Sequence, residues 1–223
     1  MHVDNTIIPR DDFAALSRWD RLYSHCSDDT ISQDLWLLSF EETIQNCHTP
    51  IVDLGCGSGV DTKWLMKRGK QVIACDYSAK AIEHIRSAIP EIYKTMCFDM
   101  SKELPLEDHS AQLLIADLSL HYFTEEITRF VLNEIRRVLT RDGSMLLRVN
   151  SIKDVNYGAG EGTELESNYF RTKDGRFKRF FNREDIDRFF SDWHILHLSE
   201  DQTHRFGLPK ELWTLHVTPK ANL

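Results

Sequence analysis

The stretch IVDLGCGSGVDTKWL, residues 51–65, decides the fold. A short apolar strand runs into three alternating glycines and then into a helix-like segment. Gly55, Gly57 and Gly59 lack Cβ atoms, so the backbone can turn sharply there and a ligand can lie directly on it. Working outward, PIVDLG, KQVIACDYS, TMCFDMS, AQLLIADLS and GSMLLRVNS are short, nearly continuous apolar runs, the pattern of strands buried on both faces. Helical periodicity falls between or before them at about 31–46, 58–68, 78–89 and 124–140. The last helix has Ile127, Phe130, Val131, Ile135, Val138 and Leu139 as one stripe, Thr124 as cap and Asp142-Gly143 as its end. Strands alternating with helices imply a doubly wound, Rossmann-like α/β fold with a mostly parallel sheet.

The last third departs from that alternation. NYGAGEGTELESNYF reads as a long polar loop, TKDGRF as a turn, and NREDIDRFFSDW as a short helix capped by Asn182. WHILHLSED and ELWTLHVTPK, separated by GLPK, read as a terminal hairpin at the sheet edge. The 223 residues are expected to form one domain: N-terminal cap helices over 1–47, a ligand-binding core over 48–150, and an acceptor-side loop, hairpin and terminal strands over 151–223.

Composition narrows the function classes. The chain is 41% hydrophobic with a formal charge of −8, and it has neither an apolar run of membrane-spanning length nor a charged-then-apolar leader. It therefore reads as a cytoplasmic protein without the overall basic field that non-specific nucleic-acid binding would favour. Cys26, Cys47, Cys56, Cys75 and Cys97 are odd in number, and no two form a CxxC pair, which argues against a disulfide framework and a zinc site. No metal is expected, and no heptad or self-complementary stripe indicates an oligomer.

Beyond the carboxyl ends of such strands lies the usual ligand site, and here those ends are acidic. A dinucleotide loop would need GxGxxG, but Val60 stands where the third glycine belongs. Asp53 precedes the glycines; Asp76 ends the second strand, where it can accept both hydroxyls of a ribose. Asp99 follows the third strand, placed to accept from an exocyclic amine, with Met100 beside it for a purine face, and Asp117 ends the fourth. An adenosine joined to an amino acid, cationic and without phosphate, accounts for the acids and for the missing glycine together.

VDLGCGSG, VIACDYS, CFDMSKELPLEDHSAQLLIADLSLHYF and EIRRVLTRDGSMLLRVNS resemble the successive motifs of class I S-adenosylmethionine-dependent methyltransferases. Downstream, NYGAGEGTELESNYF, KRFFNREDI and PKELWTLHV are similar to the small-molecule branch that includes tellurite-resistance-type enzymes. The resemblance implies a seven-stranded sheet of order 3-2-1-4-5-7-6 with the seventh strand antiparallel, and S-adenosylmethionine as cofactor. It carries cofactor contacts to Gly55, Cys56, Gly57 and Gly59 for the methionine portion, with Asp53 among them. Asp76 and Tyr77 take the ribose, Asp99 and Met100 the adenine, and Asp117 and Leu118 the amino-acid end. Trp19 and Tyr23, four apart on one helix face, would close over it as the family's N-terminal aromatic segment does, or would simply pack on the core.

Methyl transfer from a sulfonium needs alignment and desolvation, and needs a base only when the acceptor holds a proton. His121, Tyr122 and Asn150 fall where acceptor-facing residues should; His121 is either the base or a residue orienting its neighbours. Tyr157, Glu164 and Tyr169 either enclose the acceptor or belong to an ordinary surface loop. DLSLHY after the fourth strand differs from the Asp/Asn-Pro-Pro-aromatic run used on planar amino nitrogens, and no Pro-Cys nucleophile is present, so those acceptors lose weight; the resemblance implies a small-molecule acceptor. RTKDGRFKRFFNR interleaves bases with aromatics, as a site for nucleic acid or an anionic substrate would, but it contains Asp174 and is followed by Glu184 and Asp185, and reads as a solvated hairpin with its apolar face packed inward. The rivals are a nicotinamide-dependent oxidoreductase, disfavoured by the glycine pattern, and a non-catalytic S-adenosylmethionine-binding protein.

Overall fold

The structure, a computed structural model, describes residues 12–23 and 34–221. Seven strands form one sheet: β1 (Ile51–Leu54), β2 (Val72–Asp76), β3 (Lys94–Cys97), β4 (Ala111–Asp117), β5 (Leu139–Asn150), β9 (Trp193–Thr203) and β10 (Lys210–Pro219), in the order β3-β2-β1-β4-β5-β10-β9. This is the order 3-2-1-4-5-7-6. β1 pairs in parallel with β2 on one side and β4 on the other, so strand order reverses beside it. β10 runs antiparallel to β5 and β9.

Both faces of the sheet are covered, which explains the unbroken apolar runs. Along β4, Leu114 and Ala116 pack into one core with Val52, Leu54, Leu147 and Val149, while Leu113 and Ile115 pack into another with Ile51 and Leu146. Leu37, Phe40 and Ile44 close that second core from a 3-10 turn (Trp36–Phe40) and helix α2 (Glu41–Gln45). The remaining helices are α1 (Asp12–Tyr23), α3 (Val60–Met66), α4 (Ala79–Ala88), α5 (Glu125–Val138) and α6 (Arg183–Phe189). No helix among the described residues is long and apolar enough to cross a membrane.

Three local readings are corrected. α5 ends at Val138 rather than at Asp142-Gly143, because Leu139 already pairs with Ala111. The register then jumps to Leu113 opposite Ser144, so Asp142-Gly143 belong to a bulge within β5. The expected polar loop contains a strand, β6 (Thr163–Glu166), which pairs with β7 (Tyr169–Arg171), itself paired with β8 (Phe177–Arg179). And β8 is not solvated: Lys178 is 4% and Arg179 0% exposed. Arg179 donates to Glu166 and lies over the rings of Tyr169 and Phe189, at 5.0 and 5.2 Å from their centroids.

Asn182 caps α6 in a capping box: its side chain accepts from the Asp185 N–H at 2.7 Å, and the Asp185 carboxylate accepts from the Asn182 N–H at 3.2 Å. Asn182→Ala is expected to cost about 1 kcal/mol, read as a lower urea midpoint with an unchanged slope.

Candidate functional site

The carboxyl ends of the first four strands converge on a cavity of about 400 Å³. At the end of β1, Gly55 has φ 85°, and a Cβ there would stand 2.4 Å from Ser119 Cβ, so only glycine admits both the turn and the packing. Asp53, Gly55, Cys56 and Gly57 line the cavity. Gly59 does not: at φ 80° it turns the chain into α3, and a Cβ there would meet Ile85 Cδ1 at 2.7 Å.

Asp76 organises the loop from the neighbouring strand. Its Oδ2 accepts from the Gly57 N–H at 2.9 Å and its Oδ1 from the Ser78 N–H at 2.8 Å. Tyr77, Asp99, Met100, Asp117 and Leu118 complete this side. Asp99 is oriented by the N–H and hydroxyl of Ser101, at 2.9 and 2.7 Å. Leu118 has φ 52°, a left-handed conformation that costs a side-chain-bearing residue energy, and its N–H donates to the Arg148 carbonyl at 3.0 Å.

Four aspartates here are not ordinary carboxylates: burial raises Asp61 and Asp76 as well as Asp53, and of the four only Asp117 is held down. Burial pushes Asp53 up to about 7, despite the Thr62 hydroxyl that donates to it at 2.5 Å. Burial would likewise raise Asp117, but Arg148 and Arg205 more than reverse this and hold it below its usual range. Arg148 grips Asp117 with two hydrogen bonds of 2.7 and 2.9 Å and donates to Asp34 at 2.6 Å; Arg205 reaches the same Asp117 at 3.0 Å. The Asp117 carboxylate is thus a structural anchor as well as part of the cavity wall.

The cap helix α1 covers the cavity. Trp19 lines it and meets Tyr122 edge to face with ring centroids 5.3 Å apart, and the Ser78 hydroxyl donates to Asp20. Tyr23 ends α1, and its side chain lies outside the described residues. His121 and Tyr122 sit on a 3-10 turn after β4 and line the cavity. His121 is buried; burial lowers its pKa well below the usual value, aided by Lys210, Lys178 and Arg176, so the ring is neutral, and its Nδ1 has no hydrogen-bond partner among the described residues.

Tyr157 also lines the cavity, with its hydroxyl directed at the carbonyls of Phe206 and Leu208. The other acceptor-side candidates stand outside the lining. Tyr169 is buried and donates to the Tyr122 carbonyl at 3.2 Å, and Glu164 is exposed and accepts from the Asn168 N–H at 2.9 Å. Asn150 is buried, with neither side-chain polar atom hydrogen-bonded among the described residues.

Arg176 and Lys178 belong to the segment read from sequence as a solvated hairpin, whereas Arg148, Arg205 and Lys210 were missed. Arg176, Lys178, Arg205 and Lys210 line the cavity, and Arg148 locks its floor. An arginine inside the apolar run MLLRVN was the available signal, since a buried guanidinium requires partners. Among the described residues, all the cations lining the cavity come from residues 176–210, whereas the strand-end loops contribute carboxylates and no cation. A bare glycine backbone among carboxylates fits a cationic, hydroxyl-rich ligand such as S-adenosylmethionine and does not fit a pyrophosphate.

Comparison with known proteins agrees. Residues 52–147 match the family model described as a methyltransferase domain. A probable S-adenosylmethionine-dependent methyltransferase of Mycobacterium tuberculosis is 32% identical over 124 residues, 56% of this chain and 42% of that protein. The tRNA N(3)-cytidine methyltransferase METTL2 of Danio rerio is 28% identical over 153 residues, 63% of this chain and 43% of that one. The chain therefore spans less than half the length of these curated relatives. The crystal structure of a Burkholderia thailandensis 1,6-didemethyltoxoflavin-N1-methyltransferase, with bound 1,6-didemethyltoxoflavin and S-adenosylhomocysteine, superposes with a TM-score of 0.69 at 16% identity. That match covers 98% of this chain and 93% of that one, and it shows the shared fold.

Proposed function

We propose that the chain is an S-adenosylmethionine-dependent methyltransferase that transfers the methyl group in line to a small-molecule acceptor held in the same cavity, and that it stands with the small-molecule branch that includes tellurite-resistance-type enzymes, a reading supported by its likeness to methyltransferase domains. The observation that carries this reading is the aromatic lining of the site: Trp19 of α1 meets Tyr122 edge to face, and Tyr157 meets Phe206, all four in the cavity wall.

In the proposed complex, Gly55 to Gly57 and Asp53 hold the methionine half, Asp76 the ribose, and Asp99 with Met100 the adenine. The cofactor supplies an electrophilic methyl on a sulfonium, a good leaving group. The chain's own part is alignment and exclusion of water, for which the aromatic cover is suited. Neutral His121 is the candidate proton acceptor, and its depressed basicity suits an acceptor that gives up its proton readily.

A large polynucleotide acceptor is suggested by the tRNA-methylating relative but is poorly supported by the charges. Among the described residues, most cations of the basic hairpin are engaged: Arg176 is tied to Asp174, Lys173 to Glu161 and Arg183 to Asp187, while Arg179 is buried, so Arg171 alone is an exposed cation outside an ion pair and no multi-phosphate footprint results. The test measures S-adenosylhomocysteine release with a pool of small thiols, amines, phenols and acids, and separately with total tRNA. Turnover with the small-molecule pool alone is expected. Turnover with tRNA alone would overturn the acceptor class, and cofactor binding without any product would leave a non-catalytic binder.

A further inference from the structure

Among the described residues, four cationic side chains line the cavity, and three are matched by carboxylates. Arg176 Nε donates to Asp174 at 2.6 Å, Lys210 Nζ to Asp154 at 2.6 Å, and Arg205 to Asp117 at 3.0 Å. Lys178 is the exception. It is 4% exposed, and its ammonium donates to the Tyr157 carbonyl at 2.9 Å with no carboxylate partner among the described residues. An ammonium out of water is costly unless a counter-charge compensates it. Burial first, and then the proximity of Arg176 and Lys210, pull Lys178 down to about 8, so it still carries its charge at neutral pH.

Around it the cavity wall is aromatic. The Tyr157 ring packs under Lys210 Nζ at 4.6 Å and meets Phe206 at 6.2 Å, and Tyr122 lines the same cavity against Trp19. One positive charge that Asp174 and Asp154 offset only at a distance, beside flat apolar surfaces, suits a ligand with one negative charge on an apolar body.

We infer that the methyl acceptor is a small organic acid whose carboxylate pairs with Lys178 while its apolar body lies along Tyr122, Tyr157 and Phe206. This rests on the acceptor sharing the cavity with the cofactor. Lys178 is then a specificity-determining residue, because a neutral analogue leaves its ammonium uncompensated.

The experiment uses the full chain saturated with S-adenosylhomocysteine and titrates two matched pairs, benzoate against benzamide and indole-3-acetate against indole-3-acetamide, with phenyl phosphate as a further probe. Ligand-observed NMR gives affinities for wild type, Lys178→Met and Lys178→Arg. Each acid is expected to bind at least about tenfold more tightly than its amide, the value of one charge-assisted hydrogen bond. Lys178→Met should erase that preference and Lys178→Arg retain part of it.

Acid affinity should also fall as pH rises through about 8, when free Lys178 loses its proton. The charged and titratable groups facing it are Arg176, Lys210, Asp154, Asp174 and His121, of which neutral His121 adds no charge to lose above pH 7. Equal binding of acids and amides, a preference that survives Lys178→Met, tighter binding of phenyl phosphate than of either acid, or no acid binding stronger than about 10 mM would each overturn the inference. Failure of the cofactor reading looks different: S-adenosylhomocysteine itself would not bind, while the acids would still prefer Lys178.

Discussion

Replacing Arg148 with leucine is expected to destabilise the protein by about 3–5 kcal/mol, the usual result of removing one partner from a buried ion pair. Arg148 is 2% exposed and makes three charge-assisted hydrogen bonds, two to Asp117 and one to Asp34, while its guanidinium lies over the Trp36 ring at 4.7 Å from the centroid. Without it, Asp34 keeps, among the described residues, the Thr203 hydroxyl at 3.2 Å, and Asp117 keeps Arg205. Asp61, whose carboxyl burial already pushes up and Asp117 pushes further, loses a compensating charge as well.

The double variant Arg148→Leu/Asp117→Leu tests the cause. If the loss in Arg148→Leu comes from stranded carboxylates, removing Asp117 too should recover part of it; if it comes from lost packing, the double variant should be no better than the single. Urea unfolding measures both. A loss below about 1 kcal/mol in Arg148→Leu would show that water already screens the network, as it does for surface pairs.

This network also marks the limit of what the sequence could convey. Its members lie far apart in the chain, with Arg148 31 residues from Asp117 and 114 from Asp34, so no local pattern links them. The strand-end acids were legible for the opposite reason. Asp53, Asp76, Asp99 and Asp117 each sit at or just past the end of an apolar run, and the parallel topology brings all such ends to one edge. The sheet order followed from the same regularity.

Burial of both faces of β8 was not legible. FKR reads as a basic, solvated strand until Tyr169 and Phe189 are found over Arg179 and the cavity over Lys178, and those neighbours come from other elements. Strand β6 was hidden for a related reason. TELE has no apolar alternation, and it pairs through its backbone with β7 rather than through a hydrophobic face. Likewise the early end of α5 depends on Ala111 capturing Leu139 into the sheet, a tertiary contact that overrides the helical stripe.

Asp76→Ala is expected to weaken S-adenosylhomocysteine binding by about tenfold or more, corresponding to at least one charge-assisted hydrogen bond of roughly 1.5–3 kcal/mol. A carboxylate offers about four lone-pair sites; Asp76 accepts the N–H groups of Gly57 and Ser78 and also takes a backbone hydrogen bond from Tyr77, which leaves room for at least one hydroxyl of a ribose. The same side chain thus shapes the glycine loop and faces the ligand. Asp76→Asn keeps one carbonyl oxygen but turns an amide toward a backbone N–H that needs an acceptor, so it is expected to rescue little. Calorimetric titration with S-adenosylhomocysteine and with adenosine separates the two roles. Lost ribose contacts should weaken adenosine by a similar factor, whereas a disturbed glycine loop, which serves the methionine half, should weaken S-adenosylhomocysteine far more than adenosine. Affinities within about threefold of wild type for both ligands, less than about 1 kcal/mol apart, would remove Asp76 from the cofactor site altogether.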